Sequence, residues 1–526
     1  MEDQKTLLES LTRPGVLPGS GENVECIETH ANWILLAGQR AWKIKKAVDL
    51  GFLDFSTLER RAHFCREELR LNRRLAPDLY LEVATIHGSP EAPGFGESGN
   101  PIEYAVVMRR MDPDQRLDRR LERGELARDE LDPLARDIAA FHRDLVPADP
   151  DSTHGRPDQL RGFMEDNFRV CGEHLSGEDA KRLAGICSRG RRLFDRLEPR
   201  LDQRRQEGHV RECHGDLHLG NLIRHEGRVR AFDCIEFDPE LRWVDTASEI
   251  SFLLMDLRFR GRADLAARWL DRYLEWTGDH AAWPLLSHYQ SYLAMVRCKV
   301  ALLAAAQHGH ESTAGRKQRD QARRYLETAG RALAPGRGCI ILTHGLSGSG
   351  KSHVSGELLE QLDALRLRSD IERKRLFGLE PLDRSHSQTG AGLYTAGATE
   401  KTFDHLCEKA AGLAGAGCRV IVDATFLRRD LRDRFRRAAS SRGLAFAILH
   451  VDAPRAVLES RVSARNSEGR DASEAGLEVL ADQIRHMEPL DDPERALSLR
   501  VDTSEPVDAA VLARQLVSRL ELDKTA

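Results

Sequence analysis

From residue 24 to 47 the chain reads as strands about a turn. Trp33-Ile-Leu-Leu-Ala37 and Ala41-Trp-Lys-Ile-Lys45 flank Gly38-Gln-Arg, the pattern of a hairpin. Between 57 and 76 the apolar period changes to that of a helix, with Leu58, Ala62, Cys65 and Leu69 on one face and Pro77 closing the run. A further strand is predicted over Glu103–Met108, running into the polar segment Arg109–Pro113. From about 130 to 306 the pattern is helical, interrupted by the strand-like pieces Asn221–Arg224 and Val229–Phe232. A small β-rich lobe followed by a large helical one is therefore expected over 1–306.

Residues 307–338 carry His, Gly, Ser and charges, a polar helix over Asp320–Ala334, and then Pro335-Gly-Arg-Gly338, which reads as a linker helix. Beyond it, apolar runs at 339–343, 365–369, 419–423, 445–451 and 498–502 alternate with helical segments. That alternation predicts an α/β domain over 339–526, a doubly wound parallel sheet with helices on both faces.

The 526 residues suffice for two to four domains, each with its own core. A net charge of −5 points neither to nucleic acid nor to a membrane surface. The ten cysteines show no C-x-x-C and no zinc spacing, so they read as reduced thiols. No apolar run approaches the roughly 18 residues of a membrane span, and the start, Met-Glu-Asp-Gln-Lys, lacks a signal-peptide pattern. A cytoplasmic protein without membrane contact is expected. The basic residues divide into 67 Arg and 12 Lys, so a lysine can mark a place where a compact point charge matters. Lys43, Lys45, Lys46 and Lys351 are among the twelve.

The most specific chemistry follows the apolar run Cys339–Thr343. Gly345-Leu346-Ser347-Gly348-Ser349-Gly350-Lys351-Ser352 fits G-x-x-x-x-G-K-[ST], and a helix is predicted after it over His353–Leu365. Glycines let backbone N–H groups face phosphate oxygens, and the helix adds the positive end of its dipole. Lys351 would reach the β- and γ-phosphates, and Ser352 would hold Mg²⁺. The segment is expected to bind a nucleoside triphosphate.

A second phosphate signature is His214-Gly-Asp216-Leu-His-Leu-Gly-Asn221, with Asp233 twelve residues further on. A carboxylate near an acceptor hydroxyl positions it and takes its proton, while an Asn and a later Asp can hold metal ions. The pattern resembles the catalytic loop of protein kinases in the H-G-D-x-H-x-x-N form of aminoglycoside phosphotransferases. The resemblance implies a protein-kinase-like α+β fold, with Asp216 as base, Asn221 and Asp233 as metal ligands and His214 as loop organiser. It further implies that Lys43 grips the α- and β-phosphates with Glu68 as its ion-pair partner, Lys45 being the runner-up on the same strand face. Residues 104–111 would form the hinge strand, Ala139–His142 a helix signature, and Asp245 the family's later structural Asp. No Gly-rich loop covers the phosphates; the corresponding turn is Glu28–Asn32 or Gly38. A buried polar loop held only for hydrogen bonding and a decayed kinase are the bland alternatives. Cys213 and Cys234 read as core packing.

In the P-loop half, Leu367-Arg-Ser-Asp370-Ile-Glu-Arg373 ends the second strand, on the side where ligands lie in such sheets. It resembles small P-loop kinases of hydroxyls: polynucleotide 5′-kinases, gluconate-type kinases, chloramphenicol phosphotransferase and zeta toxins. There Asp370 would be the general base, with a helix N-cap as the alternative, and Arg373 would bind the acceptor or orient Asp370 at the nucleotide. Asp423, ending the third strand, would hold Mg²⁺ through water or pair with Arg373. Arg461, Arg465 and Arg470 surround an expected lid over 462–473; Arg461 and Arg465, one turn apart, would face one phosphate or form a solvated basic face.

Taken whole, residues 20–520 resemble bacterial proteins that fuse an aminoglycoside-phosphotransferase-like domain to a P-loop kinase domain. The resemblance implies two Mg²⁺·ATP sites, each passing a γ-phosphoryl group to a hydroxyl of a small-molecule acceptor. Alternatives are a polynucleotide 5′-kinase in the P-loop half, or a regulatory ATPase or ATP sensor controlling the other half. Nucleic acid as partner is not favoured, because aromatics are 6% of the chain and show no interleaving with arginine. The acceptors and the oligomeric state are not legible.

Overall fold

The computed structural model describes residues 2–19, 23–51, 53–96, 99–309, 312–383, 393, 395–468 and 475–522. In chain order, helix α1 (Glu2–Leu11) precedes strands β1 (Val24–Glu28), β2 (Asn32–Ala37) and β3 (Arg40–Lys45), helix α2 (Leu58–Asn72), and strands β4 (Tyr80–Ser89), β5 (Ala92–Phe95) and β6 (Pro101–Arg109). Helices α3 (Leu117–Glu122), α4 (Leu131–Asp144), α5 (Pro157–His174) and α6 (Gly177–Gln206) follow, then the short strands β7 (Val210–Glu212), β8 (Leu222–His225), β9 (Arg228–Ala231) and β10 (Trp243–Asp245). Helices α7 (Thr246–Phe259), α8 (Ala263–Thr277), α9 (Trp283–His308) and α10 (Thr313–Ala332) lead to the last part of the chain. There β11 (Cys339–His344), α11 (Lys351–Leu362), β12 (Leu365–Arg368), α12 (Ser369–Leu376), α13 (Ala396–Gly415), β13 (Arg419–Asp423), α14 (Arg429–Ser440), β14 (Ala445–Asp452), α15 (Arg455–Glu468), α16 (Leu477–His486), α17 (Asp492–Ala496), β15 (Ser498–Asp502) and α18 (Ala509–Arg519) alternate. Two compact units result: residues 1–166 with 198–256, and residues 167–197 with 257–526.

In the first unit the six-stranded antiparallel sheet has the order β1-β2-β3-β6-β4-β5. Both of its faces are covered. Leu7 and Leu11 of α1 pack on Trp33, Leu35, Trp42 and Ile44, while Cys65 of α2 packs with Ala41, Tyr80 and Val106 on the other side. That sandwiching buries every residue of β3 after Arg40, so Lys43 and Lys45 are carried inward on the α2 face. Helix α2 starts where Thr57 accepts the Arg60 N–H at 3.3 Å. Strands β4 and β5 and helix α1 are absent from the pattern-based expectation. In β4 the polar Glu82, Thr85 and His87 break the alternation, and β5 contains Pro93 and Gly94.

In the second unit the parallel sheet has the order β12-β13-β11-β14-β15, the expected doubly wound arrangement. Leu358, Leu512, Leu516 and Ala267 of α8 belong to the core on one side; α13 and α14 pack on the other. Helix α10 begins at Thr313 rather than Asp320, because Ser312 Oγ accepts the Gly315 N–H at 2.9 Å and caps it. Its Tyr325 stacks on Phe259 at 3.9 Å, so this expected linker helix is packed against its neighbours. Helix α11 runs from Lys351 to Leu362, two residues earlier at its start and three at its end than 353–365; it stops where Asp363 takes a left-handed conformation. Among the described residues no helix is long and apolar enough to cross a membrane.

Candidate active sites

The first site is assembled by β3, α2 and the loops around β8 and β9. Lys43 and Lys45, two apart on one strand, both reach Glu68 of α2: Lys43 Nζ lies 2.8 Å from Oε1 and Lys45 Nζ 2.7 Å from Oε2. Lys43 also pairs with Asp233 Oδ1 at 2.7 Å, and Lys45 pairs with Glu236. Burial favours the neutral amine at Lys43, but Asp233 and Glu68 outweigh it and hold the ammonium well above its usual range. Burial also opposes ionisation of Glu68, yet the two lysines bring its carboxyl down. Asp233 sits at φ 64°, a left-handed conformation that costs a non-glycine residue free energy. Its N–H donates to Tyr80 Oη at 3.1 Å, which fixes this turn.

The catalytic-type loop is tied down by side chains that sequence reasoning missed. Glu249 of α7 accepts the N–H groups of His214 and Gly215 at 2.8 and 3.0 Å, and burial pushes its carboxyl up to about 7. Asp256, seven residues on, accepts the Leu219 N–H at 3.0 Å. Two acids two turns apart, flanking the apolar run Phe252–Met255, were the available signal. Asp245, expected as the later structural acid of the family, is buried and pairs with Arg204 at 2.7 Å, while Glu249 is the acid that holds the loop. His214 organises the loop as expected: Nε2–H donates to Phe232 O at 3.0 Å, and Nδ1 accepts the Asp216 N–H at 3.3 Å. Asn221 Nδ2 donates to Asp216 Oδ2 at 2.8 Å, and His218 Nε2 lies 3.4 Å from the same oxygen. Cys213 and Cys234 are buried, and burial raises both thiols, in line with packing. Asn221 and Asp233 offer oxygen donors of the kind Mg²⁺ takes.

The second site lies at the carboxyl ends of the parallel strands, around a cavity of about 1280 Å³. The P-loop backbone leaves no room for a side chain at Gly345 or Gly348. A Cβ on Gly345 (φ 148°) would lie 2.1 Å from the Val451 carbonyl oxygen, and one on Gly348 (φ 82°) 2.7 Å from that of Leu458. Lys351 Nζ donates to the Leu346 carbonyl at 2.7 Å. Burial pushes its ammonium down to about 8, against the pull of Asp423 and Asp370. Ser349 Oγ is buried without a hydrogen-bond partner, and the Ser347 N–H donates to Gln483 Oε1 of α16 at 2.8 Å. This cradle, its lysine and its unpartnered hydroxyl suit a phosphate chain.

Around the same cavity stand Ser352, Asp370, Arg373, Asp423, Arg461 and Arg465. Asp370 is the second residue of α12, whose N-cap is Arg368, so the N-cap alternative does not apply. Arg373 donates to Leu393 O at 2.8 Å and Thr399 Oγ1 at 3.2 Å, and Arg368 lies 3.9 Å from Asp423. Asp423 accepts from Ser355 Oγ at 3.2 Å. Arg461 and Arg465 diverge: Arg461 donates to Thr503 O at 2.7 Å and Oγ1 at 2.8 Å, Arg465 to Ala475 O at 2.8 Å. Each holds a carbonyl of its own chain, which explains why one turn of spacing does not bring them to one point. Arg470 lies outside the described residues. Ser352 and Asp423 are again oxygen donors suited to Mg²⁺.

Comparison with known proteins agrees with the two halves. Residues 52–289 match the phosphotransferase enzyme family, and residues 340–490 match an AAA domain family. Uncharacterized proteins of Mycobacterium tuberculosis (strains H37Rv and CDC 1551) are 30% identical over 454 residues, 86% of this chain and 88% of theirs. Among solved structures, a choline/ethanolamine kinase family protein from Mesorhizobium loti is similar at 11% identity over 63% of this chain and 99% of that one (TM-score 0.36). A gluconokinase from Sinorhizobium meliloti 1021 is similar at 23% identity over 35% and 93%, respectively (TM-score 0.25).

Proposed function

The chain belongs to the family of bacterial proteins that fuse an aminoglycoside-phosphotransferase-like domain to a P-loop kinase domain, and on that footing we propose that it is a cytoplasmic phosphotransferase with two Mg²⁺·ATP sites. Each site transfers the γ-phosphoryl group to a hydroxyl of a small-molecule acceptor. The first kinase domain occupies 1–306, a linker helix 307–338 and the P-loop kinase domain 339–526.

In the first domain Lys43, held by Glu68, grips the α- and β-phosphates. Asp216 orients the acceptor hydroxyl and takes its proton as the oxygen–phosphorus bond forms and the β–γ bridge breaks. In the second, the amides of Gly345–Ser352 cradle the phosphates, Lys351 and Arg465 meet the transferred group, Arg461 and Arg373 line the nucleotide side, and Asp370 is the base. Mg²⁺, held by Asn221 and Asp233 in one site and by Ser352 and Asp423 in the other, would screen phosphate charge when bound. What supports this reading is that each half gathers a buried lysine, a candidate base and oxygen donors from distant stretches of chain; Lys43 and Asp233 are 190 residues apart.

The test is ATP turnover over sugars, aminoglycosides, nucleosides and 5′-OH oligonucleotides in wild type, Asp216→Asn and Lys351→Ala. Acceptor-dependent turnover lost in one variant only assigns that acceptor to one half. Turnover indifferent to every acceptor would overturn the reading in favour of a regulatory ATPase.

A further inference from the structure

Helix α8 lies within the stretch of chain that matches the phosphotransferase family, yet its acidic residues face the P-loop fold of the same compact unit. Arg366 of β12 is 5% exposed and divides its guanidinium between two helices, α8 and α11. Its Nη2 donates to Asp271 Oδ2 at 2.9 Å and Glu275 Oε1 at 3.0 Å, both on α8. Its Nη1 donates to the Ser352 carbonyl at 2.9 Å and to Ser355 Oγ at 3.4 Å. Ser355 in turn donates to Asp423 Oδ2 at 3.2 Å. Arg368, two residues along the same strand, lies 3.5 Å from Glu275 and 3.9 Å from Asp423. Carboxylates of α8 are thus joined, through arginines of β12, to the backbone of Ser352 and the side chain of Asp423.

Docking alone does not account for this geometry. An arginine that served only to fasten α8 would place both arms of its fork on the two carboxylates. Arg366 gives one arm to α8 and the other to the first turn of α11, where Ser352 sits. A buried guanidinium holds such a place only while its carboxylates are present, because an unpaired buried charge is strongly destabilising. The position of Ser352 and Asp423 therefore depends on Asp271 and Glu275, and those two residues lie outside the sequence of the P-loop domain itself.

We infer that Arg366 is a positioning residue for the metal-holding end of the P-loop site, and that Asp271 and Glu275 of α8 set its orientation. The second kinase site is then completed by a helix from the other family segment. The inference rests on the proposal that Ser352 and Asp423 hold Mg²⁺.

The experiment is nucleotide binding by the full chain carrying Lys43→Ala, which confines binding to the P-loop site. The affinity of a non-hydrolysable ATP analogue is measured in EDTA and over a Mg²⁺ titration. In this parent, Mg²⁺ tightens binding; if it does not, the reading of Ser352 and Asp423 fails, and the inference with it. Adding Arg366→Lys, which keeps the charge but loses the fork, is expected to raise the Mg²⁺ concentration for half-maximal tightening by about tenfold or more. Affinity in EDTA should stay within about threefold, since the phosphate cradle is untouched. Asp271→Asn, and Glu275→Gln as a second probe should the first not fold, is expected to move the Mg²⁺ midpoint in the same direction. Combined with Arg366→Lys it should add little, because the three act as one chain. Equal weakening with and without Mg²⁺ would reduce the network to a structural brace. A Mg²⁺ response shifted by Arg366→Lys but not by either α8 variant would remove α8 from the site.

Discussion

The two lysine centres solve the same problem in opposite ways. In the first site Lys43 is already paired, wedged between Glu68 and Asp233, with Lys45 supporting Glu68 from behind. In the second, among the described residues Lys351 Nζ donates to the Leu346 carbonyl oxygen and to no carboxylate, and burial drives its ammonium down to about 8. In the first site the lysine charges are met by protein carboxylates, so on the proposed reading a nucleotide would have to compete for Lys43. The other holds a buried lysine whose charge burial disfavours, and on the proposed reading a phosphate would complete it. A preassembled ion-pair network adds stability at the cost of competition; an unpaired buried cation costs stability and gains binding.

The strongest way to break the comparison is to remove chemistry from one site and look at the other. Asp216→Asn should lower the first activity by about 10³-fold, the size of a lost general base, and leave the second unchanged. Lys351→Ala should do the reverse. If either variant abolished both activities while remaining folded, the picture of two separate centres would be wrong.

Stability should respond with opposite signs. Lys43→Met removes one partner from Glu68, which keeps Lys45, and one from the half-exposed Asp233, and should destabilise the first unit by about 1–3 kcal/mol, the size of a lost charged hydrogen bond. Lys351→Met removes an ammonium that the empty fold disfavours and should stabilise the second by an amount on the order of 2 kcal/mol. Urea unfolding of the full chain, followed by probes in each unit, reads both. A loss of stability in both variants would mean that Lys351 is satisfied in the empty protein.

The pH dependence of nucleotide affinity sharpens the same contrast. At Lys351 the folded value is about 8 and the ordinary one 10.5, so between these the unfolded chain binds more protons, and the empty protein gains stability as pH rises. A nucleotide needs the charged lysine, so binding takes up a proton above pH 8. Affinity at the P-loop site should fall by about tenfold per pH unit there. Lys43, held well above its usual range, should leave the first site flat over the same interval. Titrations of Lys43→Ala and Lys351→Ala from pH 7 to 10 separate the two curves; parallel curves would sink the distinction.

The P-loop half was the more legible of the two in sequence, and the reason is burial. Strand β11 is buried at all six positions, so it reads as an unbroken apolar run. In the loop that follows, Gly345 and Gly348 take positive φ, and a Cβ there would lie 2.1 and 2.7 Å from carbonyl oxygens, which makes glycine a geometric requirement at both. In the first unit, β4 carries polar residues among its apolar ones and went unread. Lys43 and Lys45 were correctly placed on one face, but their alternation cannot separate the lysine facing Asp233 from the one facing Glu236; that takes the turn that puts Asp233 at a positive φ. Long-range partners were the least visible. Gln483 and Glu236 bond to residues far off in the chain, and nothing in their local spacing announces it.

Gln483 gives the smallest and most discriminating effect. In the P-loop the Ser347 N–H, one of the amides that would face phosphate, donates to Gln483 Oε1 at 2.8 Å. A phosphate oxygen seated in the loop has to take over that donor, so Gln483 stands to the P-loop as Asp233 stands to Lys43: a protein group occupying a place meant for ligand. The two differ in weight, because a neutral amide bond contributes a net 0.5–1.5 kcal/mol or so, roughly half of what a charged pair does. Gln483→Ala should therefore tighten nucleotide binding at the P-loop site by about two- to tenfold, chiefly in EDTA, where no metal supplements the amides. The measurement is the affinity of a non-hydrolysable ATP analogue in the Lys43→Ala background. A weaker affinity would show that Gln483 turns to the nucleotide on binding, and the parallel with Asp233, itself assigned to hold metal in the loaded site, would then become closer.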